Sequence, residues 1–319
     1  SKAKRQSPNS SSPGQMKHPD DRARSPTKNS RKIHDMPGSL SKGTVHPGQE
    51  ISADHFVCST LGRLYKGFGK TSDANMYKGG CIFVDNSSGY VHCEPQTAFS
   101  AHETIRAKER FEDVCRDFGV IPQGYLTDNS TVFTSAEFDN HLRQFDQKLR
   151  LAGTGAHHQN GIAEKAIQDI QTMARTMLLH AAIHWPDVAD PQLWPMAVAH
   201  AVHIRNHLPD IRTGLSPADL FTRQRWPHSK FHDLHVFGSP AYKLEKSIAD
   251  GKQVGKWRSR STRHVNLGFS PQHASNIPLL LNTETGAIGV NFHVVFDDWF
   301  STVGSSPEQW PDFNSDEWY

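Results

Sequence analysis

The sequence predicts a mixed α/β layer fold followed by a small β-rich unit, and three observations carry that expectation. "GGCIFVDNSSGYVHCE" (79–94) is a hairpin signal: two short apolar runs flank a turn of Asp, Asn, Ser and Gly. Between 100 and 182 helical apolar periods alternate with a short strand-like run. From about 232 onward the texture changes to short runs separated by turn residues, "HVFGSPAYKL", "RHVNLGFS" and "IPLLLNTETGAIGVNFHVVFDD", which reads as a β-rich unit over 232–300.

In chain order, residues 1–48 are rich in Ser, Pro, Lys and Arg without an apolar period and read as a disordered basic linker. Order is expected from 49, with a strand in "EISADHFVCSTLGRL". After the hairpin, Ile105, Phe111, Val114, Cys115 and Phe118 define one helical face, closed by Gly119. "GYLTDN" (124–129) is a short strand ending at a turn, and "SAEFDNHLRQFDQKL" (135–149) a helix capped by Ser135. A Gly-containing loop (152–161) leads into a long helix over about 162–182, whose Ala163, Ala166, Ile167, Ile170, Ala174, Met177, Leu178 and Ala181 face a core. Helices follow near 191–208 and from "GLSPADLF", with Pro217 in the first turn. Trp185, Trp194 and Trp226 are expected to pack between helices. The main α/β domain is thus read over 49–222, with an acidic disordered tail at 301–319.

Composition narrows the function classes. There is no run of eighteen apolar residues, so no membrane span is expected. No signal-peptide pattern opens the chain, which begins at Ser1. A processed or partial polypeptide that is not secreted is expected. The cysteines at 58, 81, 93 and 115 lack metal or redox spacing, so no structural zinc is expected despite twenty histidines. Charge is uneven: residues 1–50 hold ten Lys/Arg against four Asp/Glu, whereas 301–319 holds Glu308, Asp312, Asp316 and Glu317 and no Lys or Arg. Basic arms often touch nucleic acid; a solvated linker reads equally well.

Three carboxylates stand at element boundaries or in unusual places. Asp54 lies inside a strand, where an inward acid needs a partner. Asp128 ends the strand "GYLTD". Glu164 opens the long helix, with thirty-five residues (129–163) between it and Asp128. Three such acids suit a pair of Mg²⁺-type ions, which take oxygen ligands and serve phosphoryl transfer. Glu164, Gln168, Gln171 and Arg175 recur at i, i+4, i+7 and i+11, a polar stripe able to lie along a nucleic acid. A solvated helix face with a dipole-favoured Glu explains the same pattern.

With those residues in view, the chain resembles the catalytic core of retroviral and retrotransposon integrases, and the copia type in particular. "LTDNSTVFTSAEF", "HHQNGIAEKAIQDI" and "FVDNSSGYV" carry the likeness. "DLHVFGSPAYKLE", "RSRSTRHVNLGFSPQHAS" and "FHVVFDDWF" resemble the segment that follows the core in copia-type polyproteins. The resemblance covers about residues 50–300. It implies a ribonuclease H-like mixed sheet flanked by helices. It implies a triad of Asp54, Asp128 and Glu164 holding two Mg²⁺ or Mn²⁺ ions, with Asp85 competing for the first position. It implies 3′-end processing and strand transfer on double-stranded DNA, a homo-oligomer, and action in the nucleus after a cytoplasmic particle stage. Candidate DNA contacts are Gln159, Asn160, Lys165, Gln168 and Gln171 around the long helix and Lys256, Arg258 and Arg260 in "GKWRSRSTR". One departure stands out: where the family has Asn-Gly-Gly-Glu after the second acid, this chain has Asn129-Ser130-Thr131-Val132. A catalytically decayed or host-recruited DNA-binding relative is therefore the alternative reading. A nuclease for RNA hybrids fits less well, because no fourth carboxylate is evident.

Overall fold

The chain's first regular element is a long strand, β1 (Ile51–Gly62), around which a five-stranded sheet is built. The structure is a computed structural model. It describes residues 46–65, 75–153, 160–225, 233–253, 255–271, 273, 277–305, 307–313 and 315. Most of the expected linker, the loop residues His157, His158 and Gln159, Trp226, and Asp316 and Glu317 lie outside the described residues.

β2 (Tyr77–Asp85) and β3 (Val91–Gln96) form the expected hairpin and lie antiparallel on one side of β1. On the other side β4 (Gly124–Thr127) and β5 (Lys148–Leu151) run parallel to it. The order β3-β2-β1-β4-β5, three antiparallel strands followed by two parallel ones, is the ribonuclease H-like arrangement. β5 corrects the expected helix over 135–149. That helix, α2 (Ala136–Gln144), is capped by Ser135, whose Oγ accepts from Phe138 N at 3.2 Å. It stops where Asp146 takes a positive φ of 53°, and the chain turns into an exposed edge strand.

Two helical layers cover the sheet. α1 (Ala101–Asp117), capped by Ser100, packs with α2 on the face bearing Ile51, Ala53, Cys81, Phe83 and Tyr125. A buried ion pair strengthens that layer: Lys108 Nζ lies 2.8 Å from Glu112, and Tyr125 Oη and Gln147 Nε2 both donate to the same carboxylate at 2.6 Å. α3 (Gly161–His184) and α4 (Trp194–His207) cover the opposite face. α4 is buried on most of its circumference, which its nearly all-apolar first half requires. Near its C-terminus the buried Asn206 amide takes both backbone groups of Val91, at 2.9 and 2.7 Å. This satisfies part of the edge strand β3. α5 (Pro217–Thr222) begins with a Ser216–Asp219 capping box.

The second sheet is antiparallel, with order β10-β6-β7-β8-β9. Its strands are β6 (Pro240–Leu244), β7 (Ser261–Phe269), β8 (Pro278–Asn282), β9 (Ile288–Val290) and β10 (Val294–Phe296), with a short α6 (Lys246–Ala249) after β6. It shares one apolar core with α3 and α4: Val265, Leu267, Leu279, Leu281 and Ile288 join Ala174, Leu178, Ala197 and Ala201. The α3–α4 layer is thus covered on both faces. Trp185 Nε1 donates to Gly238 O at 2.7 Å, and Trp194 Nε1 to Thr60 O at 3.0 Å. Gly238 has φ +83°, and a Cβ there would sit 2.6 Å from that of Ala181.

Candidate active site

β1 and β4 set the first two acids. Ile51 pairs with Tyr125 and Ser52 with Leu126 in parallel register. Two residues further on, Asp54 is level with Asp128, the first residue past β4, across one strand spacing of about 4.8 Å. Both carboxylates belong to the sheet face that carries Phe56, because strand side chains alternate. Asp128 Oδ1 accepts from Ser130 N at 3.2 Å, and Asn129 Nδ2 donates to Ala152 O at 2.6 Å. These bonds hold the turn that carries Ser130, Thr131 and Val132. Phe133, fully buried, pins the far side of that turn.

Glu164 comes from the first turn of α3, which packs on the same face. Asn160 fixes where that helix begins. It is only 2 % exposed, and its Nδ2 donates to Ala53 O at 3.2 Å, one residue from Asp54. Asn160 was expected on the DNA; its burial gives it an internal task instead, clasping the helix start to β1. Sequence reading cannot separate these roles, since Asn-Gly before a helix suits an exposed turn as well as a clasp.

The electrostatics show that Asp54 is within reach of the other two acids. The Asp54 carboxyl is pushed up to about 6, mainly by burial, with the charges of Asp128 and Glu164 adding to it and the hydrogen bond from His55 N at 2.8 Å opposing it. Three carboxylates with only oxygen donors, one of them half-buried among like charges, suit a hard divalent cation. Among the described residues, no group of three or more His, Cys, Asp or Glu side chains is placed so that it could hold a metal ion, so the three acids are near one another without forming a ligand set.

His55 turns to the opposite face, as alternation requires, but is not exposed there. Its ring stacks on Phe133 at 4.6 Å and its Nε2 lies 2.9 Å from Thr104 Oγ1. Burial holds it neutral, down to about 4. It therefore links the Asp54 strand to the Asp128 turn, a role missed in the sequence; the only signal was an aromatic, Phe133, in a polar loop. Asp85, the competitor for the first acid, is fully buried at the hairpin. It accepts from Gly48 N at 2.7 Å and from Ser88 N and Oγ at 2.8 and 2.6 Å, which is a turn-closing task.

Among the remaining residues, Glu164, Gln168 and Arg175 are exposed and Gln171 is half-buried on α3. Lys165 Nζ lies 2.7 Å from Asp169 and within 3.5 Å of Gln168 Oε1. Lys256, Arg258 and Arg260 are exposed in the loop between α6 and β7, in a different part of the chain from the three acids. Gln159 lies outside the described residues.

The strand order thus defines a ribonuclease H-like fold, in which Asp54 lies near enough to Asp128 and Glu164 to feel their charge. No protein-family model matches the chain. Similar solved structures include the HTLV-2 integrase catalytic core domain in complex with magnesium. Its trimeric form is 20% identical, with a TM-score of 0.39 over 56% of this chain and 98% of that one. Its dimeric form is 20% identical, with a TM-score of 0.40 over 56% and 99%. A simian T-cell lymphotropic virus intasome in complex with PP2A regulatory subunit B56 gamma is 14% identical, with a TM-score of 0.42 over 78% of this chain and 80% of that one. Likenesses of this size carry no weight of their own, and the fold assignment rests on strand order and direction.

Proposed function

We propose that this chain is the integrase part of a copia-type retrotransposon polyprotein, joining element DNA to target DNA by metal-dependent phosphoryl transfer. The observation that supports the reading is that Asp54, on the central strand of a ribonuclease H-like sheet, is level with Asp128 at the end of β4 and feels the charge of both Asp128 and Glu164, which opens α3. Asp54, Asp128 and Glu164 would hold Mg²⁺ or Mn²⁺. Two such ions, when bound, supply activation of the attacking oxygen and stabilisation of the leaving one. Asp54, held near 6, is mostly ionised at neutral pH and would offer a carboxylate to such a cation. Asn160 and the α3 core stripe aim Glu164, and the His55–Phe133 stack steadies the turn that presents Asp128. Water then cuts near a 3′ end, and the freed 3′-hydroxyl attacks the target phosphodiester. No covalent protein intermediate is required, so catalysis is positioning and charge stabilisation. The similar integrase structures are described as a magnesium complex, as dimeric and trimeric forms, and as an intasome. We extend divalent-metal use, oligomerisation and double-stranded DNA binding to this chain on the same proposal, with the nucleus as the place of action.

The test is strand transfer by the purified chain on short DNA ends with Mg²⁺, Mn²⁺ or EDTA, beside Glu164→Gln. Metal-dependent joining that falls to background in Glu164→Gln, with fold and DNA binding kept, supports the enzyme and the third ligand together. Wild-type joining by Glu164→Gln sinks the site. A folded, DNA-binding chain that never joins ends is the non-catalytic relative.

A further inference from the structure

We infer that one end of the second sheet is a binding surface for unpaired DNA strands, with Trp257 as the base-stacking platform. The inference takes DNA, rather than RNA, from the reading above and goes beyond it in naming the form of the strand. Residues 251–260 carry Lys252, Lys256, Arg258 and Arg260 and no acid. None of these four side chains has an acidic partner among the described residues. In their midst Trp257 is 98 % exposed. A full indole in water is unfavourable on folding grounds, and packing gives it no task. A backbone turn, Arg258 N to Gly255 O at 3.0 Å, presents it.

A second aromatic stands at the same end of the sheet. Glu245 N donates to Arg260 O at 2.9 Å and Leu244 N to His293 O at 3.0 Å, so the starts of β7 and β10 flank the end of β6. Phe292, beside His293, is 79 % exposed. The same end of the sheet thus carries two open aromatic faces and four cations without an acidic partner among the described residues. That is the chemistry of single-strand recognition: cations follow the phosphates while bases stack on rings, whatever their sequence. A closed duplex offers the rings only pair edges and phosphates, whereas a frayed or processed end offers base faces.

The test uses the full chain and measures affinity for a blunt duplex, the same duplex with an unpaired extension, oligo(dT) and oligo(U). Trp257→Ala is expected to weaken the extended duplex and oligo(dT) by about 5- to 100-fold. It should leave the blunt duplex unchanged, with Trp257→Phe in between. Arg258→Ala should weaken all the DNA probes and lower the salt slope by about 1. Equal affinities of Trp257→Ala and wild type for the unpaired probes would overturn the inference. So would an equal loss on the blunt duplex, a preference for oligo(U) over oligo(dT), or no binding to any nucleic acid, which would mark a protein-docking face. These readouts are separate from end joining. A neutral Trp257→Ala in a chain that joins ends removes this inference alone; Trp257-dependent binding without joining removes the enzyme reading alone.

Discussion

Asp54 is held at odds with its surroundings. A half-buried carboxyl pushed up to about 6 by burial and by two neighbouring carboxylates is destabilising once ionised. The folded state binds more protons than the unfolded chain between the ordinary Asp value of 3.8 and about 6, so stability falls as pH rises through that window and stays lower at neutral pH. Asp54→Asn should therefore raise the unfolding free energy at pH 7 by on the order of 1–3 kcal/mol, seen as a higher thermal midpoint, and make no difference below pH 4. Millimolar Mg²⁺ should close the gap for wild type alone, because only the three-acid site gains a cation. A melting series at the two pH values, with and without Mg²⁺, checks both parts; a less stable Asp54→Asn at pH 7 would overturn the account. The type and spacing of these acids were legible in the sequence. The burial that sets Asp54 apart was not, because it depends on which face of β1 the α3 layer covers. Asp85 shows the converse: an acid at the end of an apolar run looked eligible until its three hydrogen bonds to Gly48 and Ser88 were in view.

Among the elements, α3 carries the most consequence. Its apolar spacing was readable, and Ala163, Ala166, Ile170, Ala174, Leu178 and Ala181 are buried as that spacing requires. Its start was not readable, since Asn160 makes no cap bond to its own helix and reaches across to β1 instead. Asn160→Ala should cost about 1–2 kcal/mol of stability. Under the proposed function it should lower end joining without changing DNA affinity, since Glu164 loses its alignment while the exposed helix face is untouched. Urea unfolding, joining rate and DNA titration of the one variant decide this, and a loss confined to DNA affinity would return Asn160 to the DNA. β5 was hidden for a related reason. "QKLR" continues a helical apolar pattern, and the pairing of Tyr125 with Leu149 and of Thr127 with Leu151 outweighs local propensity.

For the whole molecule, the second sheet is a wall of the main core, with residues 44–319 forming one compact unit. α4 would expose one apolar face if that sheet were absent. A chain ending at residue 225 should aggregate or melt without a cooperative transition, whereas the full chain should unfold in a single transition. Calorimetry of both forms checks this; a soluble, cooperatively folding 1–225 fragment would show that the sheet is an appendage.

By itself the sequence determined the mixed α/β class, the hairpin, the long amphipathic helix, the later β-rich region and the three acids with their spacing. Those properties follow from local periodicity, turn chemistry and residue type, which are written along the chain. Tertiary structure alone decided the parallel pairing of β5, the inward turn of Asn160, the bridge from His55 to Phe133, the half-buried state of Asp54 and the union of both sheets around α3 and α4. Each depends on residues far apart in the chain meeting across a face, and a contact of that kind leaves no local period to read.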